Sequence, residues 1–446
     1  MNTSIIDRLN SIETQKTALK ERFGLEYNPF PRSGIAIISE ADKVAERLMP
    51  VDDETINTIV NFISDALFGH QGQSESEDRY MSMVVRGDYG SGKTQTLMFV
   101  RYLLKNLKNE AVKPYVVYID NPGQKLSELV GAIVSQIGVE NFRKYLWGIF
   151  MEYLDKNPDV KNSLVSRSSG PTHPTLFDYD ETIPSLSNNI QNYKELVDAI
   201  TVGKNASEKK ELLQTLKDHM IRSYAAPDVA DSPVVATYLY DVVSETIGIS
   251  KSWDMLTSGS VKEMDKREVN ILKAIVRIVR KQLGYTDFFI LIDEFEEITA
   301  ERLKRTDIDN YLRNLRLLID REKNWCSVFA MTGKAMDIIE NYSPPLASRI
   351  KGSVVDLKPL NKDSFKQVVL NYLSIARTEG DDESIDPFDE SGLEEMLQVK
   401  NTQLKGSPRF LLKLCYQLLQ RAVTELPEGG KIDSAFVKKH IDEFLK

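Results

Sequence analysis

The chain has 446 residues, too many for one ordinary core of about 100–200 residues, so about two to three domains are expected. With 41% hydrophobic and 28% charged residues it is neither disordered nor fibrous, and no apolar run is long enough to span a membrane. A formal net charge of −9 excludes a surface that binds polyanions everywhere but leaves room for a local basic channel. The N-terminus shows no basic patch followed by an apolar block. The cysteines, Cys326 and Cys415, sit in apolar segments and read as buried reduced thiols, and the four histidines are scattered without metal spacing. A soluble, cytoplasmic protein with no membrane partner is the expectation.

In chain order, apolar spacing predicts an amphipathic helix over 4–22, ended by the turn-rich Tyr27–Pro31. A second helix is predicted over 53–67, with acidic residues in its first turn, followed by a polar loop over 69–79. A short apolar strand over 81–85 precedes a helix over 93–108, a strand over 114–120 and a helix over 126–137. From about 140 to 265 the pattern changes. Helical patches at 142–154, 193–200, 208–224 and 237–247 surround a Ser/Pro/Asn-rich stretch at 157–192, which reads as a largely helical insertion. Lys266–Leu283 carries apolar residues at helical spacing, and Phe288–Ile292 is a fully apolar strand. Helix 311–319 and strand 327–331 follow, then helices at 362–376, 390–398, 409–425 and 434–445. Alternating strands and helices imply a parallel sheet covered on both faces, with a helical domain after it.

Between the first strand and its helix stands Gly87-Asp88-Tyr89-Gly90-Ser91-Gly92-Lys93-Thr94, a full match to G-x-x-x-x-G-K-[ST] in the context that gives the pattern meaning. The glycines let backbone N–H groups turn toward phosphate oxygens, and the helix N-terminus, opening with Lys93, Thr94 and Gln95, adds positive potential. Lys93 would reach the β- and γ-phosphates and the Thr94 hydroxyl would ligate Mg²⁺. Some 200 residues on, the strand Ile290-Leu291-Ile292 ends in Asp293-Glu294. Asp293 is expected beside the metal, and Glu294 as the general base for water. Glu296 and Glu297 read as solvated.

With both elements present the chain resembles AAA+ ATPases, in particular the initiator-type branch of origin-recognition, transposon target-selection and related mobile-element or phage-defence proteins. The resemblance covers about 27–138 and 266–446. It implies an α/β P-loop NTPase whose parallel sheet is flanked by helices, with a large helical insertion and a C-terminal helical lid. The implied division is 1–35 (N-terminal helix and adenine-side linker), 36–139 and 266–358 (the two parts of the core), 140–265 (insertion) and 359–446 (lid). Ser327–Gly333 resembles the strand of the first sensor, which would place Thr332 near the γ-phosphate. Leu346–Ile350 resembles the segment that offers an arginine finger, Arg349, to a neighbouring subunit. Gly406-Ser407-Pro408-Arg409 resembles the second-sensor motif, in which Arg409 would contact ATP in cis. Tyr27 and Phe30 lie in a turn resembling the one that packs around adenine.

By that resemblance the chain is an ATPase using ATP and Mg²⁺, with catalytic roles for Lys93, Glu294, Thr332, Arg349 and Arg409. Its partners would be further copies, with ATP at the subunit interfaces, DNA, and a protein met through the insertion. It would remodel or recruit a partner complex. The alternative is a nucleotide-locked signalling or scaffold NTPase acting through protein partners, without DNA. Lys273, Arg277, Arg280 and Lys281 form a basic helix face that is open to two readings, nucleic-acid contact or a solvated face.

Overall fold

The computed structural model describes residues 18–33, 52–69, 80–109, 111–166, 190–244, 261–300, 302–321, 325–377, 383–398 and 405–444. Most of the helix expected over 4–22 and of the loop over 69–79 lies outside these residues, as does 167–189 of the Ser/Pro/Asn-rich stretch. Residues 18–23 are helical.

Five strands form one parallel sheet: β1 (Met81–Arg86), β2 (Pro114–Ile119), β3 (Asp287–Ile292), β4 (Cys326–Met331) and β5 (Ser353–Asp356), in the order β2-β3-β4-β1-β5. Period-2 alternation sends successive side chains of each strand to opposite faces. Phe288, Ile290 and Ile292 of β3 join one core, while Phe289 and Leu291 join the other. The second core is closed by α1 (Asp53–Phe68) and α2 (Lys93–Lys105). Asp52 caps α1 by accepting from the Thr55 N–H.

The first core is closed by α3 (Leu126–Ile137) and continues without a break through α4 (Val139–Lys156), α6 (Tyr193–Thr201), α7 (Ala206–Tyr224), α8 (Pro233–Ser244), α9 (Val261–Leu283) and α10 (Arg305–Arg321). α5 (Pro158–Ser166) lies between α4 and α6. Trp147, Leu196, Tyr224 and Leu239 belong to the same apolar cluster as Val84, Ile290 and Phe329. The helical stretch between α3 and α9 therefore shares the core of the sheet.

Three of the four cations on the basic face of α9 are engaged within the chain. Lys281 Nζ lies 2.6 Å from Asp228 Oδ2 and 3.5 Å from Glu152 Oε2, and Lys273 lies 4.0 Å from Asp231. Arg277 donates to the Pro227 carbonyl at 2.6 Å. These cations tie α9 to the α7–α8 connection.

Beyond β4 come α11 (Gly333–Tyr342) and α12 (Pro344–Ile350), neither of which the apolar pattern announced. The lid consists of α13 (Lys362–Ala376), α14 (Glu390–Leu397), α15 (Pro408–Glu425) and α16 (Ser434–Phe444), with a separate core. Leu19, Leu25 and Phe30 from the N-terminal segment are buried in that core. Both cysteines are buried and unbridged.

Candidate nucleotide-binding site

Gly87 follows β1 directly, and its N–H donates to the Met331 carbonyl of β4 at 3.2 Å. In the register Arg86 faces Met331 and Ile292 faces Phe329, so the cradle, the acidic pair after β3 and Thr332 after β4 collect at the carboxyl edge of three adjacent strands. That edge is where open parallel sheets place ligands. Arg86 itself forks onto Asp356 at 2.5 and 2.8 Å, pinning the edge strand β5 and holding the Asp356 carboxyl below its ordinary pKa.

Gly90 and Gly92 have φ of +78° and +100°, which favour glycine. Lys93 is buried; its Nζ donates to the Gly87 carbonyl at 3.1 Å and to the Asp88 carbonyl at 3.4 Å. Tyr89 is the most exposed large side chain of the cradle, with its ring centroid 5.3 Å from Lys93 Nζ. Thr94 Oγ1 donates to Asp293 Oδ2 at 2.6 Å, joining two motifs 199 residues apart. Tyr118 of β2 donates to the same oxygen at 3.0 Å, and the Glu294 N–H donates to Asp293 Oδ1 at 2.9 Å. Burial, and then the Asp293 charge, push the Tyr118 hydroxyl up, so it remains a proton donor to the carboxylate.

Glu294 stands in the left-handed region, φ +47°, which turns the chain sharply into the 3-10 helix Phe295–Thr299. Its side chain reaches solvent, yet desolvation against the protein raises its pKa, with Asp293, Glu296 and Glu297 adding to the rise and Lys93 opposing it. The solvated reading of Glu296 is overturned: it is buried, 3.4 Å from Lys93 Nζ. Thr332 caps α11, accepting from the Ala335 N–H at 3.3 Å.

The lid meets the cradle directly. The Arg409 N–H donates to the Gly90 carbonyl at 3.1 Å, while the Arg409 side chain is exposed. A Cβ on Gly90 would lie 2.8 Å from the Arg409 Cβ. Gly90→Ala combines that clash with an unfavourable φ, so a loss of about 1–3 kcal/mol is expected, read as a lower thermal midpoint. Between α1, the start of α2, the β5–α13 connection and α15 lies a cavity of about 460 Å³. It is lined by Ser91, Gly92 and Gln95 from the cradle side, Thr55 from α1, and Asn361 and Leu412 from the lid side. Its size suits a small organic ligand.

The two residues expected beside adenine are elsewhere. Phe30 does not face a ligand: it stacks on Tyr372 at 5.6 Å and meets Phe388 edge-on at 5.7 Å inside the lid core. Tyr27 is exposed, and neither ring lines the cavity. Arg349 is bound to Asp320 of α10 through Nε and to the Pro345 carbonyl at 2.9 Å. Its own carbonyl accepts from Ser82 near the start of β1, roughly 16 Å of strand from the cradle at about 3.3 Å per residue. Arg349 is thus not part of its own chain's site. Tyr118, Thr55, Asn361 and Glu296 were not anticipated. Only Glu296 left a trace, as a third carboxylate after an acidic strand end.

Sheet, cradle, acidic strand end and helical domains together define a P-loop NTPase fold of the α/β class. No family model matches the chain, and no curated protein does. Among solved structures it is similar to the ORC2 protein of Aeropyrum pernix, determined as ADPNP–ADP complexes. The identity is 13%, over 88% of this chain and 67% of that one, with a TM-score of 0.43. It is also similar to Cdc6p of Pyrobaculum aerophilum, at 12% identity over 89% and 70% of the two chains, TM-score 0.39. The similarity is remote at these values. Among the described residues no helix is long and apolar enough to cross a membrane.

Proposed function

We propose that the chain is an ATPase of the AAA+ initiator type that binds ATP with Mg²⁺, hydrolyses it, and assembles through nucleotide held between copies. The observation that carries this reading is the convergence of Thr94 Oγ1 and Asp293 Oδ2, 2.6 Å apart, beside the Lys93 ammonium at the strand edge. A hydroxyl and a carboxylate so placed are the hard oxygen donors Mg²⁺ takes from a protein when phosphates and water complete its shell. Among the described residues no cluster of three or more His, Cys, Asp or Glu offers a different metal site. When bound, Mg²⁺ would neutralise charge on the β- and γ-phosphate oxygens.

Backbone N–H groups of Gly90 to Thr94 would hold the phosphates, and Lys93 would contact the terminal ones. Glu294 would take the proton of the attacking water, with Thr332 at the neighbouring strand end orienting it. Arg409 would report the nucleotide to the lid, whose backbone already rests on Gly90. Arg349 would serve a neighbouring copy's ATP after exchanging Asp320 for phosphate. DNA is the proposed setting for the assembly.

The test is mass photometry of the Glu294→Gln protein with and without ATP and a DNA duplex. A shift to higher mass with ATP, increased by DNA, is the expected result. Arg349→Ala should abolish that shift while leaving ATP binding within about twofold of the parent, since a residue outside its own cradle contributes nothing to monomer affinity. Unchanged mass under every condition would sink the assembly reading. A second reading, a nucleotide-locked switch acting on a protein partner, is favoured by one observation: Lys273, Arg277 and Lys281 are engaged within the chain. DNA binding that weakens steeply with salt would decide against it.

A further inference from the structure

The Lys93 ammonium lies among oxygens of its own chain. It has three donors and no acceptor, and three oxygens surround it: the carbonyls of Gly87 and Asp88 and Oε1 of Glu296. The side chains of Lys93 and Glu296 are each 8% exposed. A cation at that depth needs a counter-charge, and Glu296 supplies it. The 3-10 helix after the left-handed Glu294 turns this carboxylate back onto the cradle. Its second oxygen, Oε2, is buried without a hydrogen-bond partner among the described residues. A carboxylate fitted only to brace the fold would have that oxygen bonded, because an unpaired buried acceptor is costly.

We propose that Glu296 is a positioning residue that holds the Lys93 ammonium and competes with an incoming phosphate for it. This rests on the reading of the cradle as a nucleoside-triphosphate site. Two anions then contend for one cation. A ligand with β- and γ-phosphates within reach of Lys93 displaces the carboxylate, whereas a monophosphate leaves the pair closed. Glu296 thereby lowers affinity for every polyphosphate and sets a threshold of phosphate charge for opening the site.

The test is calorimetric titration of wild type, Glu296→Gln, Glu296→Asp and Lys93→Met with ATP, ADP and AMP, paired with turnover. Glu296→Gln keeps the shape and removes the charge. It should bind ATP about tenfold tighter, as expected for losing one charge-assisted contact that opposes binding. ADP should tighten in the same direction and AMP should not change. Glu296→Asp, which keeps the charge, should stay near wild type. Equal ATP affinity in Glu296→Gln and wild type, or an equal change for AMP, overturns the proposal. So does lost turnover at unchanged affinity, which would make Glu296 a water-handling group. Thermal unfolding without nucleotide tests the pair on its own: Lys93→Met and Glu296→Gln should each destabilise, and the double variant should recover part of the loss. Strict additivity refutes the pairing even if ATP binds well. Failure of wild type to bind ATP removes the nucleotide reading, and this proposal with it, whatever the unfolding result.

Discussion

Glu294→Gln is expected to bind ATP as wild type does and to lose turnover by about 10²–10⁴-fold, the usual contribution of a positioned general base. The substitution keeps size and shape, and Glu294 bonds to Asp293 through its backbone N–H, so the Asp293 carboxylate stays in place. Asp293→Asn should behave differently. It weakens the acceptor shared by Thr94 and Tyr118, so metal-dependent binding should suffer along with turnover. Phosphate release under single-turnover conditions, beside ATP titration, separates the two variants. Comparable turnover in wild type and Glu294→Gln would remove Glu294 from the chemistry.

Phe30→Ala carries the other large effect, on stability. The ring is 2% exposed and packs against Tyr372 and Phe388, so truncation leaves a cavity in the lid core. A loss of about 3–5 kcal/mol is expected, measured from the denaturant midpoint. Tyr27→Ala, at a residue 44% exposed, should cost no more than about 0.5 kcal/mol. If Phe30 faced adenine, its truncation would weaken ATP binding at unchanged stability. That pattern would contradict its place in the lid core.

Most strands and helices of the core were legible because they combine period-2 and period-3.6 apolar patterns with sharp punctuation. Phe288–Ile292 and Lys93–Lys105 are of this kind. β5 was not legible: four residues on a sheet edge, of which only Val355 is buried, leave almost no apolar signal. α11 and α12 escaped for a related reason, because each is short and begins from a strand end or a proline pair. Phe30 misled because an aromatic in a Pro-rich turn looks the same whether its ring faces a ligand or a neighbouring core. The α9 cations misled because sequence shows a row of charge but not the carboxylates of a distant loop that meet it.

By itself the sequence determined the chemistry that is written locally. Eight consecutive residues fix a glycine-rich turn at a helix N-terminus, the geometry proposed to hold phosphate, and an apolar strand ending in two carboxylates marks where negative charge collects. Tertiary structure alone decided what depends on strand order and long-range packing. It brought Thr94 to Asp293 and Tyr118, laid Arg409 on Gly90, turned Glu296 onto Lys93 and set Arg349 against Asp320. The physical reason is that local patterning selects which face of an element is buried, while the partner against which it is buried is chosen only when the sheet closes and distant segments compete for the same space.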